Sequence, residues 1–162
     1  MSEPDHCGVG GVVTVTVWRG GAVTDHLVHP NTVTNAGLNL LLDQTFSAVP
    51  AGTTWHLGLR GNGEQTPEDT YATKAWEEFT GYAGDRKPWT HAAASEGRIV
   101  SSSRASFAVQ GGESIVRGAF LTDAATKGSA GRLFMVASFG RALILYPGDT
   151  VDVEYDLRLG RA

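Results

Sequence analysis

The stretch 150–159 reads TVDVEYDLRL, in which polar and apolar residues alternate without a break. Because successive side chains leave opposite faces of a β-strand, one set faces a hydrophobic core and the other faces water. The core-facing set is Val151, Val153, Tyr155, Leu157 and Leu159. Turn residues occupy 147–149, and the apolar run 142–146 before them is the predicted antiparallel partner. This pair is the predicted spine of a β-sandwich.

Composition agrees with an all-β domain. The 162 residues are 41% hydrophobic and 19% charged, which is ordinary for one globular domain with a real core. The 21 glycines fall between short apolar runs, as tight turns between strands require. The net charge is −4 and no dense Lys/Arg run is present, so we expect no nucleic-acid partner.

Two further features of the sequence concern disulfide bonds and cellular location. Cys7 is the only cysteine, which excludes an intrachain disulfide. The N-terminal residues lack the basic region and the apolar region that a secretory signal contains, and no apolar run has the length of a membrane span. We therefore expect synthesis in the cytoplasm and no membrane partner.

Further strands and turns follow along the chain. Residues 1–11 are predicted to be a flexible N-terminal arm, and 12–162 a single β-sandwich domain. A hairpin joins 12–18 to 22–29 around the turn 19–21. Strands are also expected at 54–59, 104–109, 114–121 and 132–139. Since 133–136 are all apolar, that strand should be covered on both faces, by a second layer or by another subunit.

One or two short helices are predicted in the connections. Leu38, Leu41, Leu42 and Phe46 form an apolar stripe at helical spacing, and Thr34 or Asn35 can cap it. A second helix is predicted after the capping sequence 66–69, with Ala72, Trp76 and Phe79 behind it.

Polar clusters give little indication of catalysis. Asp152, Glu154 and Asp156 share one strand face, and we favour a solvated or arginine-paired surface over a cation site. The arginines available for that pairing are Arg98, Arg104, Arg117 and Arg132. The serine run 101–103 has no nucleophile-elbow context. We expect no enzyme activity, no catalytic residue and no cofactor.

A zinc site is also disfavoured. His6, Cys7, His26 and His29 are ligand types close together in the sequence. However, His26 and His29 are separated by an odd number of residues, so they leave opposite faces of a strand. We therefore expect no metal site.

The segment 71–89 is rich in aromatic residues and is the predicted contact surface. Its side chains could anchor a protein interface, stack on sugar rings, or plug the open end of the sandwich. The interface candidates are Tyr71, Trp76, Tyr82 and Trp89, together with His6 and Cys7 of the predicted arm.

Several short motifs, taken in order, resemble a group of small structural proteins from tailed bacteriophages. The similarity spans about residues 31–156 and is made of glycine, aromatic and turn signatures. The motifs are NTVTNAGLNLL at 31–41, WHLGL at 55–59, DTY at 69–71, WEE at 76–78, Tyr82, RKPW at 86–89, SF at 106–107, RGAFL at 117–121 and PGDTV at 147–151.

The resemblance implies a jelly-roll-like sandwich in a virion, made in the host cytoplasm. The leading expectation is a capsid decoration or cement protein that binds the major capsid protein or other virion proteins, as a homo-oligomer. The alternative is a tail or tail-fibre component involved in host attachment. A carbohydrate-binding module of non-viral origin is a third hypothesis, based only on the aromatic residues.

Overall fold

The computed structural model describes residues 7–46 and 53–161 and shows an antiparallel all-β sandwich with one short helix. The elements are β1 (Cys7–Arg19), β2 (Ala22–Val33), α1 (Asn35–Phe46), β3 (His56–Arg60), β4 (Glu78–Phe79), β5 (Lys87–Pro88), β6 (Arg98–Val100), β7 (Ala105–Ala108), β8 (Ser114–Thr122), β9 (Leu133–Leu145) and β10 (Thr150–Arg161).

Two sheets are joined through β2. In the first sheet, β1 lies between β2 and β10, and the short strands β6 and β7 pair with the other edge of β10. In the second sheet, β8 lies between β9 and β3, and β4 and β5 extend the sheet beyond β3. The end of β2, residues 31–33, leaves β1 and pairs with β9. The prediction of an antiparallel β-sandwich is confirmed, whereas the jelly-roll arrangement remains a prediction.

The core lies between the sheets and follows the alternation of β10. Val151, Val153, Tyr155 and Leu157 are buried, as predicted, and the first three lie beside their strand partners Val17, Val15 and Val13 of β1 on the same face of the sheet. Alternation in β7 is confirmed as well, since Ala105 and Phe107 are buried. Leu159 is different, because it lies near the end of β10 and is 46% exposed.

The opening hairpin is confirmed, but the predicted spine is wrong. β1 and β2 pair around the turn at Gly20 and Gly21, both of which have positive φ. By contrast, β9 pairs with β8 and β2, and β10 pairs with β1, so the turn 147–149 crosses from one sheet to the other. From the sequence alone, two consecutive apolar strands joined by a turn look the same whether they pair within one sheet or pack against each other in two sheets.

The prediction of a flexible arm needs correction. Residues 7–11 begin β1 and pair in register with β10 from Arg161 to Leu157. Gly11 permits this close pairing, because a Cβ there would lie 2.4 Å from the carbonyl oxygen of Asp156. Residues 1–6 lie outside the described residues.

The first predicted helix is confirmed as α1. The hydroxyl of Thr34 accepts a hydrogen bond from the Gly37 N–H at 3.0 Å, which caps the helix. Its buried face differs from the predicted stripe, because Leu40 is buried and Leu42 is exposed. The helix packs closely on β9: a Cβ at Gly37 would lie 2.2 Å from the carbonyl oxygen of Phe134.

The second predicted helix does not form. Residues 66–77 contain only turns, and Asp69 uses its carboxylate to hold the first of them by accepting from the N–H and hydroxyl of Thr66. Tyr71 and Trp76 both reach one apolar face of the sheet. Residues five apart do not share one side of a helix, so the extended path buries both rings. Within the described residues, no helix has the length and apolar character needed to cross a membrane.

Candidate functional site

Residues 61–77, which contain the first part of the aromatic segment, form an outer layer on the second sheet. Trp76 and Tyr71 pack on Phe120 of β8, with ring centroids 5.0 and 6.1 Å apart. Leu133 and Val136 of β9 complete this cluster. The prediction that 133–136 are covered on both faces is therefore confirmed, and the covering layer belongs to the same chain.

Hydrogen bonds fix Trp76 in this layer. Its indole N–H donates to the carboxylate of Asp69 at 2.9 Å, and the side chain is only 2% exposed. The N–H of Glu77 donates to the carbonyl of Asn62, which holds the next residue against the end of β3. Because the polar atom of Trp76 is satisfied internally, the whole ring contributes to packing.

A buried ion pair fastens the outer layer to the loop 123–129. The guanidinium of Arg86 donates from Nε and Nη2 to the carboxylate of Glu78 at 2.8 and 2.9 Å, and the two side chains are 0% and 4% exposed. Arg86 also donates to the carbonyls of Ala124 and Ser129. Glu78 additionally accepts from the Gly128 N–H and the Tyr71 hydroxyl.

These contacts shift the pKa values of Glu78 and Tyr71. Burial alone would raise the pKa of Glu78, but the hydrogen bonds from Arg86, Tyr71 and Gly128 hold that pKa below its ordinary value. Burial, with the hydrogen bond to Glu78, raises the pKa of Tyr71 to about 12. The cluster thus holds Glu78 ionised and Tyr71 neutral, and its donors and acceptors are directed at one another.

The other two aromatic candidates lie inside the sandwich. Tyr82 contacts Phe107 edge-on at 4.8 Å, and Trp89 packs on Tyr155 at 5.2 Å while its N–H donates to Ser101. All four aromatic interface candidates are therefore buried, with exposures from 2% to 9%. The prediction of a contact surface at Tyr71, Trp76, Tyr82 and Trp89 is corrected: all four rings are buried, Tyr71 and Trp76 against the outer face of the second sheet and Tyr82 and Trp89 in the main core. The argument for sugar stacking falls with it.

The remaining predicted residues lie apart. His6 is outside the described residues, and Cys7 is the first residue of β1, opposite Arg161. His26 pairs with Thr16 on the outer face, whereas His29 pairs with Val13, whose side chain is in the core. Among the residues that the structure describes, no group of three or more His, Cys, Asp or Glu could hold a metal.

The acidic row on β10 is paired with arginines, as favoured from the sequence. Arg98 donates to Asp156 at 2.9 Å, and Arg104 lies 3.8 Å from Asp152 and 3.6 Å from Glu154. Two of the predicted arginines have other partners: Arg132 bonds to Asp123, and Arg117 donates to Asn62. All of these arginines are exposed to solvent, so these pairs contribute little to stability.

Exposed apolar side chains gather at one corner of the second sheet. Ile115 of β8 and Ile144 of β9 are direct cross-strand partners, and they are 41% and 51% exposed. Tyr146 follows Ile144 by two residues and is 40% exposed. We call these three residues the corner patch. The sequence analysis did not predict the corner patch. The signal was the alternation in SIV at 114–116 and LIL at 143–145, where the central isoleucine leaves the strand on the face away from the core.

Arg19 fixes the aromatic member of the corner patch. Its guanidinium lies 4.6 Å from the centre of the Tyr146 ring and pairs with Asp149 at 2.7 Å. The carboxylate of Asp149 also accepts from the Tyr146 N–H. The hydrogen bond from Arg19 is the main cause that lowers the pKa of Asp149. Tyr146 is therefore held at a fixed turn, while Ile115 and Ile144 lie on paired strands.

Comparison with known proteins gives no assignment. A search with the sequence finds no matching protein-family model and no match among curated proteins.

Proposed function

We propose that this chain is a non-enzymatic structural protein of a tailed-bacteriophage virion, a decoration or cement protein that binds the major capsid protein. The resemblance of residues 31–156 to small phage structural proteins supports the proposal, and so does the β-sandwich that the resemblance implies. The observation that carries it is the corner patch, where Ile115, Ile144 and Tyr146 expose apolar surface on rigid strands. Exposed apolar groups held in fixed positions are typical of protein interfaces.

The buried polar groups support a scaffold rather than a reaction centre. Glu78 with Arg86 fastens the outer layer, Asp69 fixes Trp76, and Asp149 fixes the turn beside Tyr146. Each of these carboxylates is used to hold a segment of the chain in place. The corner patch is therefore presented by a stiff body.

Many copies on a symmetric shell would add their contacts together. A single corner patch is small, so one contact alone would be weak. On a capsid the contact is repeated by symmetry, and linkage between copies raises the retention of each one. Such proteins oppose the outward pressure of packaged DNA by bridging capsid subunits.

Co-sedimentation with phage particles tests the proposal. Purified protein is mixed with expanded empty shells, and separately with isolated tails, of the phage whose genome encodes it. We expect saturable binding to the shells and none to the tails. Binding to tails alone would replace the proposal with the tail or tail-fibre alternative, and binding to neither would overturn both.

A further inference from the structure

An apolar cavity lies between the two sheets, beside α1. Leu157 of β10 and Ile99 of β6 form its wall on the first sheet, and Leu121 of β8 and Phe134 of β9 form its wall on the second sheet. Leu157, Leu121 and Phe134 are buried and belong to the main core. The cavity encloses about 130 Å³, and because its walls are core residues it is a continuation of the core.

Strand pairing fixes the two walls of the cavity. Ile99 pairs with Leu157 in the first sheet, and Leu121 pairs with Leu57 on one side and with Met135 on the other in the second sheet. The sheets set the positions of these side chains, because a shift of any of the strands would break backbone hydrogen bonds. The cavity is therefore formed in advance of any ligand, as most small-molecule sites are.

Aromatic side chains complete the lining of the cavity. The N–H of Trp89 donates to the carbonyl of Trp55 at 2.7 Å, so the two residues are neighbours beside the paired strands β3 and β5. The Trp55 ring packs on Phe134 with 5.5 Å between centroids, and the Trp89 ring packs on His91 at 4.6 Å. Aromatic rings attract one another in tilted and edge-to-face arrangements, so this lining favours an aromatic occupant.

The polar groups of the lining favour an uncharged occupant. Gln44 of α1 and His91 are exposed and mark the side of the cavity that faces solvent. The described residues that line the cavity include no Asp, Glu, Lys or Arg. The indole N–H of Trp89 already donates to Ser101 at 2.9 Å. A charged group inside the cavity would therefore lose its hydration without gaining an ionic partner.

We propose that this cavity binds a small uncharged aromatic molecule with a single ring. Its volume suits one ring, because an engineered apolar cavity of about 150 Å³ in another protein binds benzene. The ring packs between Leu157 and Leu121 and contacts Trp55 and Trp89, and a neutral polar substituent points toward solvent. The cavity shares no residue with the corner patch, so this site does not rest on the proposed function and goes beyond it.

Titration of the native chain with benzyl alcohol, followed by the indole N–H signals in nitrogen–proton correlation spectra, tests the site directly. The chain has four tryptophans, and two of them are internal controls. Trp18 donates to Asp152 of the acidic row, and Trp76 lies in the outer layer. We expect saturable shifts at Trp55 and Trp89 and none at Trp18 or Trp76. Absence of any shift, or equal shifts at all four indoles, would overturn the proposal.

Two further compounds test the class of the ligand. Naphthylmethanol has a second ring that a cavity of about 130 Å³ does not hold, and benzoate carries a charge that has no ionic partner in the lining. Each should bind on the order of tenfold more weakly than benzyl alcohol. Equal or tighter binding of naphthylmethanol would refute the single-ring size, and equal binding of benzoate would refute the preference for an uncharged molecule.

Matched variants on α1 locate the binding. Leu41 is partly buried and lines the cavity, whereas its neighbour Leu42 is 57% exposed and does not. Leu41→Trp should fill the cavity and reduce the affinity for benzyl alcohol on the order of tenfold or more, and Leu42→Trp should bind like the native chain. Native positions of the Trp18 and Trp76 signals show that each variant is folded. Equal affinities of the two folded variants would place the ligand elsewhere and overturn the proposal.

Discussion

At the scale of single residues, the Glu78–Arg86 pair is the most demanding feature of the molecule. Two ionised side chains lie almost fully out of water, and this is tolerated only because each meets its partner and further hydrogen bonds. Removing one partner leaves the other as an uncompensated buried charge.

Glu78→Gln should therefore destabilise the fold by about 3–5 kcal/mol, the usual cost of breaking a buried pair from one side. The urea midpoint of unfolding, followed by tryptophan fluorescence, measures the change. Glu77→Gln is the matched control, because its side chain is exposed and should change stability by less than about 0.5 kcal/mol. Equal midpoints for the two variants would refute the structural role of the pair.

The shifted pKa of Glu78 also predicts that the stability of the fold depends on pH. The pKa of Glu78 is lower in the folded chain than its ordinary value of 4.5, so the unfolded chain binds its proton first as pH falls. The contribution of Glu78 is therefore present above pH 4.5 and is lost as pH falls through its folded pKa. The difference in stability between the native chain and Glu78→Gln should shrink over that range. A difference independent of pH from 6 to 3 would contradict this assignment.

At the scale of elements, the contact between α1 and β9 depends on one glycine. Alanine normally stabilises a helix interior relative to glycine by about 1 kcal/mol. At Gly37 the sign should reverse, because the added Cβ would lie 2.2 Å from the carbonyl oxygen of Phe134. Gly37→Ala should lower the thermal midpoint, whereas Gly10→Ala, with open space around the Cβ, should leave it nearly unchanged. A higher midpoint for Gly37→Ala would show that helix and strand are less tightly packed than described.

The outer layer makes a second prediction at this scale. Trp76→Ala should destabilise the fold by about 3–5 kcal/mol, since it opens a cavity over Phe120 and removes the indole donor to Asp69. Trp76→Phe keeps most of the packing and should fold. If Trp76→Phe retains stability close to native but loses its partner, Trp76 is a contact residue and its assignment to the interior is wrong.

Elements with a clear period were predicted well from the sequence. Alternation in β10 and β7, the glycine turn between β1 and β2, and the cap of α1 are local patterns, and all are present. Local patterns do not identify partners, however. Residues 142–145 of the predicted partner run belong to β9 in the opposite sheet, and no short-range pattern shows that β9 pairs with β8 rather than with β10.

The candidate site was predicted poorly for a related physical reason. Aromatic side chains are equally suited to an interface and to an interior, and only the path of the outer layer shows which applies. Tyr71 and Trp76 turn inward because Phe120 and Val136 leave an apolar face that needs a cover. The corner patch was missed because Ile115 and Ile144 belong to apolar runs and were expected to be buried. Their exposure depends on the register of β8 and β9.

At the scale of the whole molecule, the fold separates stability from recognition. The sandwich and its outer layer bury the aromatic residues and the strongly perturbed ionisable groups, whereas the corner patch lies exposed at one corner of the second sheet. Substitutions at the corner should therefore affect binding and leave stability almost unchanged. This separation is the central claim, and it can be tested with exposed residues alone.

The most direct measurement is the affinity for expanded empty shells of three folded variants: Ile115→Ser, Ile144→Ser and Val28→Ser. Val28 is 59% exposed on the first sheet and so controls for loss of an exposed apolar side chain elsewhere. We expect each corner variant to bind on the order of tenfold more weakly than the native chain, and Val28→Ser to bind equally well. Native affinity in both corner variants, or an equal loss in Val28→Ser, would contradict the account.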